Sequence, residues 1–130
     1  MTPGMARRRL EDSVLSMGPA ELIEVIFDHA LMRLQCLKEA EDDAPWETLR
    51  PHVLGCQRSV TLLLEGLVAP NAPVAESVQD LARPLRALYL WIIDTLVQAD
   101  LRRQKPPVEA LEKILGELAS AWKQAVVGKG

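Results

Sequence analysis

Along residues 19–31, PAELIEVIFDHAL, apolar and polar positions follow the period of an α-helix. Leu22, Ile23, Ile26, Phe27, Ala30 and Leu31 fall on one stripe, which Leu34 and Leu37 extend. A stripe of this kind is what a helix buries against a core. Val25 lies off it. At roughly 100° per residue, Val25 projects to the far side, where Met32 and Cys36 join it seven and eleven positions later. The pattern therefore predicts a helix with two apolar lines. Pro19 suits its first turn, and Glu21 and Glu24 suit the positive end of its dipole. It is expected to run to about Glu41, where Glu41-Asp42-Asp43 marks a polar connection.

Pro45 opens a second predicted helix, with Asp43 or Ala44 at its cap. Leu49, Val53, Cys56, Val60, Leu63, Leu64 and Leu67 form its inward stripe, and Pro51 is close enough to the start to be accommodated. Residues 69–73, APNAP, end it. A third helix is expected from about Pro73 to Arg103, with a core line of Val78, Leu81, Leu85, Leu88, Ile92 and Ala99. Tyr89, Ile93 and Leu96 flank that line, and Pro84 is expected to kink the helix. Leu90, Val97 and Leu101 repeat the seven and eleven spacing on its outer side, and Trp91 also points away from the core. Pro106-Pro107 separates a fourth helix. Val108, Leu111, Leu115, Leu118, Trp122 and Val126 lie on its inner face, opposite Glu109, Glu112, Lys113, Glu117 and Lys123.

Nothing in the chain shows the alternation of a β-strand, an internal repeat or low complexity. Four helices with short connections predict an all-α fold, an antiparallel up-down four-helix bundle over residues 19–127. A mobile N-terminal tail, residues 1–18, precedes it, in which Leu10, Val14 and Leu15 can pack locally.

Composition sharpens this picture. The 130 residues suit a single domain with a real core, 48% hydrophobic but only 4% aromatic, so aliphatic side chains must fill the interior. A net charge of -3 argues against a nucleic-acid partner. Arg7-Arg8-Arg9 reads as a solvated arm. Cys36 and Cys56 sit on apolar helical patterns as small hydrophobes, and free thiols suit a reducing cytosol. No apolar run has the length of a bilayer span and no signal core is present, so a cytoplasmic location without membrane insertion is expected.

Candidate chemistry is sparse. No Ser/His/Asp or Cys/His arrangement and no glycine-rich phosphate loop is legible, so no catalytic residue, cofactor or metal ligand is assigned. Glu39, Glu41, Asp42 and Asp43 read as a solvated helix end. His29, in Asp-His-Ala-Leu-Met-Arg, is similar to the acceptor of a histidine phosphotransfer bundle. Leu34 stands where that pattern wants a small residue, and an ordinary helical-surface histidine is the better reading. A further alternative is a homo-oligomer, such as a homodimeric assembly protein, closed by the outer apolar lines.

From Ser13 to Val126 the chain resembles the bacterial flagellar secretion chaperone family FliS. Residues 19–31 are similar to the family's serine-proline start, apolar run and aromatic-aspartate-glycine-alanine-leucine. Residues 85–100, LRALYLWIIDTLVQAD, are similar to its leucine-tyrosine pair and alanine-asparagine ending. Residues 119–125, ASAWKQA, carry the terminal tryptophan. Gly18, Phe27, His29 and Asp100 stand where the family has serine, tyrosine, glycine and asparagine. The N-terminal segment lacks the family's tyrosine-bearing pattern, so no N-terminal cap over a client is implied. The resemblance implies a four-helix bundle that binds the C-terminal segment of flagellin, keeps it from polymerising and helps deliver it to the flagellar export apparatus. Val25, Met32, Cys36, Leu90, Val97 and Leu101 are then expected to form the partner-binding surface, with Leu54 and Leu62 the next candidates.

Overall fold

The computed structural model describes residues 18–68 and 82–127. They form four helices, α1 (Pro19–Glu39), α2 (Trp46–Val68), α3 (Ala82–Arg102) and α4 (Val108–Val127), and no strand occurs among the described residues. The architecture is an all-α helical bundle. The expected N-terminal tail lies outside the described residues.

The helix ends follow from local chemistry. Gly18 is extended, and its carbonyl accepts from the Leu22 N–H at 3.0 Å, starting α1 without any side-chain cap. A serine there would have offered the missing oxygen. The helix stops at Glu39 rather than Glu41, because Ala40 turns extended with ψ 145°. The Lys105 Nζ donates to the Ala40 carbonyl at 3.1 Å, placing a cation at the negative end of α1. Pro45 stands just before α2, and its carbonyl accepts from the Thr48 N–H and hydroxyl at 3.0 and 2.7 Å. Pro51 is carried within α2 near its start. Pro84 lies within α3, two positions after Ala82, and α3 runs continuously from Ala82 to Arg102. The expected start at Pro73, with Val78 and Leu81, lies outside the described residues. At its other end α3 closes in a Schellman motif. Arg103 adopts φ 53°, the Gln104 N–H donates to Ala99 O at 3.0 Å, and the Arg103 N–H donates to Asp100 O at 3.2 Å.

In space α1 packs between α2 and α4, and α2 packs between α1 and α3. The α3 and α4 backbones scarcely approach each other despite their short connection. Contact order along α1 gives direction: His29 meets Ser59 while Arg33 meets His52 on α2, and Glu24 meets Lys123 while Lys38 meets Glu112 on α4. Both pairs run antiparallel.

Leu34, Leu37, Val53, Cys56, Val60, Ile92, Leu96, Leu111 and Leu115 are fully buried. Two residues expected in the core are not. Leu22 and Leu88 are each 38% exposed. On α3 the inward line is Tyr89, Ile92, Leu96 and Ala99, so Tyr89 and Leu96 occupy the centre and Leu88 stands one position aside. Leu22 is likewise one position off the line through Ile23 and Phe27. Both sit toward the end of the bundle where α1 begins. There Leu64, Leu85, Leu118 and Trp122 are only partly buried.

Candidate partner-binding surface

The outer lines point to solvent for the most part. On α1, Val25 and Met32 are exposed, Met32 by 48%, while Cys36 is half-buried. On α3, Leu90, Trp91 and Leu101 are exposed, Leu101 by 72%, while Val97 is half-buried. The lines do not merge into one groove. α2 stands between α1 and α3, so the six residues make two separate strips. Leu54 and Leu62 expose a third apolar pair on α2, eight positions apart on one face, opposite the buried Val53, Cys56 and Val60. Their alternation with Gln57, Arg58, Thr61 and Glu65 is the sequence signal for that outward face.

Between α1 and α2 runs a polar seam that periodicity alone does not disclose. His29 Nδ1 and Ser59 Oγ hydrogen-bond at 2.8 Å, and Ser59 is buried. The Arg33 Nη1 donates to His52 Nδ1 at 3.1 Å. To reach it, the Arg33 side chain crosses Gly55 so closely that a Cβ there would stand 2.8 Å from Nε. That Nε is buried with no partner among the described residues. Burial, and then the neighbouring Arg33 charge, holds the His52 pKa below its ordinary value, so the neutral ring serves as acceptor. His29 is therefore half-buried and bonded across a helix interface, not a free surface histidine. The Nδ1 of this ring is held by α2, so the ring is positioned across the helix interface.

Burial pushes the Cys56 thiol up to about 12, which leaves it without nucleophilic character at neutral pH. Among the described residues no group of His, Cys, Asp and Glu has the arrangement of a metal site. No described helix is long and apolar enough to cross a membrane. What the surface offers is apolar contact on the outer faces of α1, α2 and α3.

The model of the family described as flagellar protein FliS matches residues 1–129. This chain belongs to the FliS family. It is 32% identical over 123 residues to the flagellar secretion chaperone FliS of Salmonella typhimurium, a match spanning 92% of this chain and 84% of that one. To the flagellar secretion chaperone FliS of Escherichia coli it is 25% identical over 126 residues, spanning 97% and 89%. No solved structure matches it significantly. FliS is a chaperone family rather than an enzyme family, and the resemblance read from the helical motifs is thereby confirmed.

Proposed function

We propose that the protein is a cytosolic flagellar secretion chaperone whose bundle, residues 19–127, binds the C-terminal segment of flagellin. It holds that segment away from premature polymerisation and hands it to the flagellar type III export apparatus. The observation that carries this reading is the pair of outer apolar strips, Val25 and Met32 on α1 and Leu90 and Leu101 on α3, on helices whose inner faces are already buried. Their spacing is that of helical turns, which suits an amphipathic segment laying its apolar positions along them. A client that is disordered when free gains its contacts as it folds on the chaperone, and apolar strips without catalytic groups meet that need.

Titration calorimetry of the protein with a flagellin C-terminal segment tests the reading. Saturable binding that weakens in Met32→Glu or Leu90→Glu supports it. Absence of binding at about 100 μM segment, where even weak specific complexes register, refutes it.

A further inference from the structure

The two outer strips share a spacing but sit in opposite electrostatic settings. On α1, Val25 and Met32 are bordered by exposed Glu21, Asp28 and Glu39, which lie on the same face by helical phase. On α3, the exposed charges are Arg83 and Arg86 near one end and Arg102 at the other, with Asp94 alone midway. Asp100 does not alter this, because its carboxylate is turned to Arg50 at 2.9 Å. None of Arg83, Arg86 and Arg102 is ion-paired among the described residues.

The geometry points to α3 as the docking face for an amphipathic helical segment whose apolar line is bordered by acidic residues at both ends and not at its middle. At 1.5 Å per residue, Arg86 and Arg102 stand about 24 Å apart and Arg83 and Arg102 about 28 Å apart. A partner helix lying along Leu90, Trp91 and Leu101 thus meets positive charge at its two ends and Asp94 at its centre. Acids spaced by about five turns fit this face. A central acid faces Asp94 and is disfavoured, and end bases face arginines. The acidic α1 face selects against the same segment, so charge assigns it to one helix and fixes its register. Exposed pairs add modest affinity but strongly bias which complex forms, and salt screens them. In taking α3 as client surface the inference rests on the preceding reading, and the probes below separate the two.

The probes are three synthetic peptides of about 18 residues, long enough to reach both arginine ends. They share leucines at the seven and eleven spacing and carry glutamates at both ends, lysines at both ends, or glutamates at the middle. Fluorescence anisotropy at low ionic strength reads their affinities for the full chain. The end-acidic peptide is expected to bind roughly tenfold tighter than the end-basic one, with the middle-acidic peptide well behind it. Arg83→Glu/Arg102→Glu is expected to invert the order, while Glu21→Gln/Glu39→Gln leaves the order of the three peptides unchanged. All four positions are exposed, and matching circular dichroism melts confirm the fold. Equal affinities, no binding, or a preference that follows the α1 variant overturns the inference. A protein that shows the α3-dependent preference yet ignores the flagellin segment sustains this inference and sinks the flagellin assignment. One that binds flagellin without the preference does the reverse.

Discussion

Substituting Gly55 by alanine isolates the polar seam between α1 and α2. Gly55 lies inside α2, where exchanging glycine for alanine ordinarily stabilises a helix by about 0.8–1.0 kcal/mol. Here the new Cβ would stand 2.8 Å from Arg33 Nε and 3.2 Å from Cδ and Cζ, so the Arg33 side chain must move. Because those atoms lie toward the end of a flexible side chain, steric strain is small and the cost is chiefly the Arg33–His52 hydrogen bond. A bond of this kind contributes about 0.5–1.5 kcal/mol net. The two effects nearly cancel, and Gly55→Ala is expected to change stability by less than about 0.5 kcal/mol. In an Arg33→Ala background the obstacle is gone, and the same change should yield its full gain of about 0.8–1.0 kcal/mol. Urea unfolding of the four proteins of this double-mutant cycle gives the coupling directly. A full gain in both backgrounds would show that Arg33 does not cross Gly55 and that the seam is misplaced.

Other expectations rest on separate features. Because the His52 pKa is lowered on folding, the unfolded chain binds more protons below about pH 6.5, so stability falls as pH drops through that value. His52→Gln should flatten that part of a stability-versus-pH curve, and an unchanged slope would rule the seam out as its source. Arg103→Gly should stabilise the protein by about 0.5–1 kcal/mol, since φ 53° strains any residue with a Cβ, and a lower melting temperature would contradict the Schellman closure. Leu115→Ala should cost about 2–5 kcal/mol as a fully buried cavity, and Leu88→Ala clearly less. Equal losses at the two sites would contradict the partial exposure of Leu88. Met32→Glu should alter stability by no more than about 0.5 kcal/mol while weakening flagellin-segment binding by more than about 1 kcal/mol, as calorimetry would show.

Much of this was legible in the chain. A 3.6-residue period identifies which residues share a helix, and Leu34, Leu37, Ile92, Leu111 and Leu115 are buried where periodicity groups them. Phase within a stripe is less well determined. Leu88 and Tyr89 differ by one residue and roughly 100°, and which of them faces inward depends on how α3 rotates against α2. Composition favours the leucine, yet packing takes the tyrosine ring and leaves the leucine partly in water. The polar seam was hidden for a different reason. His29, Arg33, His52 and Ser59 are unremarkable residues on two helices, and only the antiparallel register sets them opposite one another. Gly55 acquires meaning only from the side chain that passes over it.

The distribution of burial along the bundle bears on how core and surface divide their tasks. Where α1 ends and α4 begins, Leu37, Leu111 and Val108 are buried, and Lys105 secures the α1 terminus. At the other end Leu22 and Leu88 keep part of their surface in solvent. A core buried continuously through Phe27, Leu34, Val60, Ile92 and Leu115 can leave apolar residues uncovered on the outer faces without losing the fold. On this argument, substitutions that weaken client binding without unfolding the protein should cluster on the outer faces and toward the α1 start. Those that unfold it should cluster around Leu34, Ile92 and Leu111.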